Sequence, residues 1–243
     1  RPHPPAMAFL KVAAAAAAAV ALAAAVATSG ADARSWRSGQ RVSRNRMCSG
    51  KQAYQVTLKL NWSGATHPRS YPEGGHFSPP TAAIHSSRYQ MWAPGSFASQ
   101  GIQNVAETGD PAVLREELGA YEAARHVASW DGTGAPTESG VVTVKLNVTA
   151  DGAAGAVYAS GATMLFPSPD WFTGFYNVRL CRYGRWVGRT GGKLRFWDSG
   201  TDSGREHLSE DEATEPPTTI FSLQNGRFPA FGRGVGHYEI RAM

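Results

Sequence analysis

Cysteine is scarce in this chain, with Cys48 and Cys181 the only two in 243 residues. That excludes a disulfide-dense mini-protein but leaves room for one bridge. Charge is also scarce at 18%. Yet ten Phe, eight Tyr and seven Trp give too much apolar mass for a disordered polymer. Sustained helical periodicity is rare, and no internal repeat occurs. A Gly-x-Ser-x-Gly elbow, a Walker loop and paired catalytic glutamates are all missing. His67, His76 and His85 stand nine residues apart, a spacing that fits no zinc site. These absences leave little for an enzyme to work with, and the reading is of a protein without catalysis.

One long apolar run is present, the alanine-dominated segment from Val12 to Val26 behind Met7 and Lys11. It is short and weakly hydrophobic for a membrane span of about 20 residues. It ends at Ala31-Asp-Ala33, the small-x-small pattern of a signal peptidase site. Residues 1–33 are therefore expected to be a cleaved secretion signal, with residues 1–6 upstream of the initiator. The remaining chain carries no second such run and is expected to be secreted. Losing Arg1, Lys11 and Asp32 takes one unit from the net charge of +5. Arg34, Arg37, Arg41, Arg44 and Arg46 then crowd a basic arm over residues 34–47, suited to a sulfated polysaccharide by charge alone. Glu206, Glu210, Asp211, Glu212 and Glu215 form an opposite, acidic stretch.

Secretion changes the meaning of the two cysteines. In an oxidising compartment Cys48 and Cys181 pair most readily with each other, the alternative being a Cys/His nucleophile. The bridge would close a loop of about 130 residues, worth up to roughly 4 to 5 kcal/mol in the chain-entropy treatment.

Gly and Pro together make about a sixth of the chain, punctuation that suits short strands and turns. Residues 54–60 and 141–149 alternate apolar with polar residues, as half-buried strands do. Further strands are expected over 156–166, 177–181, 193–197 and 235–241. Only 111–127, with Pro111 behind Asp110 and Val113, Leu114, Leu118, Tyr121 and Val127 at helical spacing, reads as a helix. The fold class is all-β, an antiparallel sandwich in one domain over 48–243.

Three aspartates sit where chemistry could occur. Asp170 lies in Phe166-Pro-Ser-Pro-Asp-Trp-Phe, and Asp198 and Asp202 lie in the glycine-rich Asp198-Ser-Gly-Thr-Asp-Ser-Gly turn. Carboxylates on bendable loops suit calcium, a hard ion that takes six to eight oxygens. The alternative is that they hydrogen-bond their own turns.

The order and content of several segments resemble one family. Tyr54-Gln-Val-Thr, Trp62, His67-Pro-Arg-Ser-Tyr-Pro, His85-Ser-Ser-Arg-Tyr-Gln-Met-Trp, Ala98-Ser-Gln-Gly, Ala106-Glu-Thr-Gly and the two aspartate motifs are similar to the spondin domain of F-spondin and mindin. The resemblance runs from about Cys48 to Met243. It implies a C2-like β-sandwich, a matching pair at Cys48 and Cys181, a bound calcium ion, and an extracellular role in matrix adhesion. An integrin-like receptor or a glycan is the implied partner. It puts metal ligands on Asp170, Asp198 and Asp202. A family glutamate on the strand before the Pro-Ser-Pro-Asp-Trp loop falls on Asn147, whose amide would ligate with less charge. The family's usual thrombospondin repeats do not occur within this chain, which is expected to be a stand-alone domain. Asn147-Val-Thr and Asn61-Trp-Ser are also glycosylation sequons, with Asn61 the favoured glycan site. The rival reading is a calcium-dependent, C2-like membrane binder using Trp171, Phe172 and Arg195 at its tips.

Overall fold

A computed structural model describes residues 47–68, 71–137, 140–223 and 234–243. The expected signal, 1–33, and residues 34–46 of the basic arm lie outside them.

Period-two alternation builds the first sheet. In β1 (Lys51–Trp62), Tyr54, Val56, Leu58, Leu60 and Trp62 are buried while their neighbours face outward. In chain order the strands that follow are β2 (His76–Phe77), β3 (Thr81–His85), β4 (Val127–Gly132) and β5 (Gly140–Asp151). β5 runs antiparallel to β1 from Lys51↔Asp151 to Trp62↔Gly140 and turns Val144, Leu146, Val148 and Ala150 inward. Then come β6 (Tyr158–Phe166), β7 (Trp171–Arg179), the small β8 (Cys181–Arg182) and β9 (Arg185–Trp186) hairpin, β10 (Arg189–Leu194), β11 (Trp197–Asp198), β12 (Phe221–Ser222) and β13 (Gly236–Ala242). The first sheet has the order β10-β13-β1-β5, and the second β12-β11-β7-β6-β3-β4, with β2 beside β6.

The two sheets face one another across a core that includes Tyr54, Leu60, Trp62, Ile84, Leu146, Phe175, Phe196 and Ile240. The second sheet is covered on its other face as well. Two helices, α1 (Gln100–Thr108) and α2 (Ala112–Ala123), set Ile102, Val105, Leu114 and Leu118 against Ala83, Trp92, Phe172 and Trp197. Burial on both faces explains why β3 and most of β6 show no alternation, and why they use Ala, Gly and Ser.

The all-β antiparallel sandwich expected from the sequence is the fold this chain adopts. The helix expected over 111–127 is corrected in two ways. It stops at Ala123, and Val127 opens β4, its side chain buried in the helix-facing core. A second helix precedes it, capped by Ser99 Oγ, which accepts from Ile102 N–H, and closed by Gly109 at φ 72°, the left-handed stop that glycine adopts without strain.

His85 joins the sheets' chemistry to pH. It is fully buried in β3, with Nδ1 2.9 Å from the Ser86 carbonyl and Nε2 2.9 Å from Ser160 Oγ. Ser160 Oγ also accepts the Asn177 N–H, so the hydroxyl donates to a neutral imidazole. Burial holds the His85 pKa below its ordinary value, against the weaker effect of backbone bonds to Ser86 and Tyr89. The unfolded chain therefore takes up a proton, near pH 6.5, that the folded chain refuses. This contribution to stability is complete above that pH and is lost as pH falls through and below it. Urea midpoints measured from pH 7.5 to 5 should fall more steeply for the wild type than for His85→Gln. Parallel slopes would show that His85 does not carry the acid sensitivity.

Candidate metal centre

Strand pairing brings two of the aspartates together. Asp198 in β11 pairs with Trp171, the first residue of β7, and Asp170 immediately precedes Trp171. The loop before β7 is fixed by Ser168, whose Oγ accepts the Trp171 N–H at 3.1 Å. Asp170 and Asp198 are both buried, Asp170 completely.

The glycine-rich turn wraps around the Asp170 carboxylate. Its Oδ2 accepts from Ser199 Oγ at 3.0 Å, Thr201 N–H at 2.9 Å and Asp202 N–H at 3.2 Å, and its carbonyl accepts the Ser199 N–H. Gly200 makes the wrap possible. Its φ is +78°, and a Cβ there would lie 2.4 Å from the Thr218 carbonyl oxygen, so a side chain would be excluded on both counts. Asp198 Oδ1 accepts the Gly200 N–H at 2.8 Å.

Asp170 Oδ1 differs from its twin. It is buried and has no hydrogen-bond partner. An acceptor of this kind is rare and costly in a folded protein. Burial raises the Asp170 pKa above the usual carboxylate value, more strongly than the backbone and hydroxyl donors lower it. Burial also pushes Asp198 up, to about 8, with the Asp170 charge and a side-chain hydrogen bond that protonated Asp198 can share with Asp170 adding to it, and hydrogen bonds from Gly200 and Trp171 opposing. Two carboxylates thus share a low-dielectric site in which both cannot be charged cheaply without a cation.

Asp202 sits next in line with both oxygens engaged. Oδ1 accepts the Gly204 N–H and Oδ2 the Glu212 N–H, each at 2.7 Å. Asp198 and Asp202 line a cavity of about 450 Å³ together with Ser203, Thr214 and Thr218. Among the described residues no three His, Cys, Asp or Glu side chains cluster closely enough to hold a metal by themselves. A cation here would draw on the two facing carboxylates, neighbouring hydroxyl and carbonyl oxygens, and water, the mixed oxygen set that calcium accepts. The orphaned Asp170 Oδ1 and this donor chemistry fit such an ion.

Asn147 is not brought to this cluster. Leu146 and Val148 point inward, so alternation along β5 sends Asn147 outward to solvent. Its N–H donates to Asp131 Oδ2 in β4, at the opposite end of the second sheet from β11. Asn61 is exposed on β1, so both sequon asparagines face outward. Cys48 and Cys181 form a disulfide, buried at both ends with Cα atoms 5.8 Å apart. The bridge ties the segment before β1 to β8. Trp171 and Phe172 are buried, so neither can serve as a membrane-inserting tip. Ser199 and Thr201, which anchor the Asp170 carboxylate, were not singled out from the sequence. Their signal was their place between two motif aspartates.

The Spondin_N family model matches residues 52–230. Spondin-2 of Homo sapiens is 32% identical over 196 residues, covering 76% of this chain and 57% of that protein. Spondin-1 of Rattus norvegicus is 33% identical over 186 residues, and Spondin-1 of Gallus gallus 32% over 214. These matches cover 72% and 79% of this chain but only 22% and 25% of the relatives. The chain thus spans from under a quarter to somewhat over half the length of the curated relatives it matches. No helix among the described residues is long and apolar enough to cross a membrane. The run of matched residues, taken with the antiparallel sandwich beneath it, makes this chain a member of the spondin N-terminal domain family.

Proposed function

We propose that this chain is a non-catalytic adhesion or recognition module of the extracellular matrix, built around a calcium ion held near Asp170 and Asp198. The observation that carries the reading is the buried, partnerless Asp170 Oδ1 beside a second buried carboxylate. Calcium would supply a positive charge there and lock the 198–204 turn to the β7 loop. Asp202 shapes the wall of the site through its bonds to Gly204 and Glu212, with a free lone pair on each oxygen for the ion. The ion's role is structural, and the partner is a cell-surface receptor, integrin-like, or a sulfated glycan. A calcium-dependent lipid binder is the weaker reading because Trp171 and Phe172 are buried.

Calcium titration by calorimetry tests this. A single site with Kd of about 10⁻⁴ to 10⁻³ M is expected for an extracellular module. Asp198→Asn should weaken it. No heat in wild-type protein at millimolar calcium would dismiss the ion.

The same compartment admits glycosylation. Asn61, exposed with Ser63 two residues on, is expected to carry an N-linked glycan when the protein is secreted from eukaryotic cells. Mass spectrometry before and after glycosidase treatment reads it, and an unmodified Asn61 peptide would contradict it.

A further inference from the structure

A second cavity, larger than the one beside Asp198 and Asp202, has none of the three motif aspartates in its lining. It measures about 970 Å³ and is lined by residues from five separate segments. Arg88 follows β3, Arg125 follows α2, Asp151 to Gly155 form the turn between β5 and β6, and Arg179 ends β7. The exposed guanidiniums of Arg88 and Arg125 make no hydrogen bond or ion pair among the described residues. Arg179 Nε donates to the Cys181 carbonyl at 2.8 Å, which steadies the side chain and leaves its terminal nitrogens for a ligand.

Arg125 is held in an unusual way. Its φ is +60°, the left-handed region that few non-glycine residues occupy. Its N–H donates to the Glu122 carbonyl, and the next N–H, of His126, donates to the Tyr121 carbonyl. The chain thus terminates α2 with an arginine where glycine would be the unstrained choice. Local backbone economy does not account for a cation there.

The three guanidiniums outnumber the two carboxylates of the lining, Glu122 and Asp151. Asp151 Oδ1 is turned to the N–H groups of Ala153 and Ala154, which leaves Glu122 as the carboxylate that competes most directly for the arginines. Tyr158, half-buried and stacked on His85, adds a ring face. The volume far exceeds what a single inorganic anion fills and lies at the upper end of ligand sites. Met47 also lines the groove, and the five arginines between Arg34 and Arg46 directly precede it in sequence. A ligand matched to this ground is a polyanion with repeated oxyanion groups, each able to take a guanidinium fork.

We propose that the Arg88–Arg125–Arg179 groove is a binding site for sulfated glycosaminoglycan chains. This rests on the reading of the chain as an extracellular recognition module, but not on its calcium. The site is physically separate from Asp170 and works with the metal removed.

The test is binding of the secreted protein to immobilised heparin by surface plasmon resonance, in chelator. Wild-type protein should bind, and chemically desulfated heparin should not. Arg125→Gly suits the left-handed backbone, so it removes charge without threatening the fold. Combined with Arg88→Gln it should weaken binding about tenfold or more. Glu122→Gln should tighten binding, and Lys193→Gln on β10 should change it less than about twofold. Wild-type affinity in the double arginine variant would assign heparin to the N-terminal arm and overturn the groove. Equal binding to desulfated heparin would overturn it too, as would binding to phosphatidylserine vesicles in place of heparin.

Discussion

Removing the disulfide with Cys48→Ala and Cys181→Ala together is expected to lower the melting temperature by roughly 10–20 °C. The bridge spans a sequence separation of 133 residues, so the reduced chain regains the entropy of a long open loop. In the chain-entropy treatment this is worth about 4 to 5 kcal/mol, and a domain of this size shifts roughly 2–4 °C per kcal/mol. The bridge is also local. Cys48 and Cys181 pack with Val157 beside Tyr158 and Trp186, and Cys48 N–H lies 3.0 Å from Cys181 Sγ. Calorimetric scans of the double variant provide the check. A drop of only a few degrees would mean that the sheets hold the N-terminal segment without it.

Asp170 should be the next most sensitive position, and its two substitutions should behave differently. Asp170→Ala strands the N–H groups of Thr201 and Asp202, while the Ser199 hydroxyl keeps Thr201 Oγ1, 2.6 Å away, as its partner. Each unpaired buried group costs about 1–3 kcal/mol, so the variant is expected to lose several kcal/mol or to fail to fold. Asp170→Asn keeps an oxygen in the same place and removes the charge. In chelator it should be at least as stable as wild type, because burial disfavours the carboxylate it replaces. It should also lose most of the response to calcium. If the asparagine variant were as damaging as alanine in chelator, Asp170 would be holding the turn through its charge, and the case for a cation would weaken.

Three strands of the first sheet were legible in the sequence, while β10 lies earlier, at Arg189–Leu194, than the strand expected over 193–197. Val142, Val144, Leu146 and Val148 alternate with polar residues because only one face of β5 is buried. β3 and β7 were not legible in the same way. Ala82, Ala83 and Ile84 are buried on both sides, and in β7 the buried run from Trp171 to Phe175 has no polar beat. Val127 continued the helical spacing of α2, yet the chain reverses at Arg125 and the residue belongs to a strand. α1 has its signals in Ser99 and Gly109, but its apolar stripe of Ile102, Val105 and Ala106 covers little more than one turn, too short for a helical period to stand out. At the metal centre, Asp170 and Asp198 stood out because glycine and proline surround them. The misplaced residue was Asn147, since a single motif position cannot tell which sheet edge a strand will occupy. The arginine groove was invisible for a related reason. Arg88, Arg125 and Arg179 are far apart in sequence and meet only because β3, α2 and β7 end at the same side of the second sheet.

The central claim is that calcium completes the Asp170–Asp198 site, and ligand linkage makes it measurable in one experiment. An ion that binds the folded state alone stabilises it by RT ln(1 + [L]/Kd), about 2.7 kcal/mol when calcium is at a hundred times Kd. The melting temperature of the secreted protein should therefore be recorded at pH 7.5 in chelator and in rising millimolar calcium, with magnesium as the control. The account predicts a progressive rise with calcium, little with magnesium, and a flat response in Asp170→Asn. A wild-type melting temperature that is the same in chelator and in 10 mM calcium, about ten times the weakest expected Kd, would contradict it.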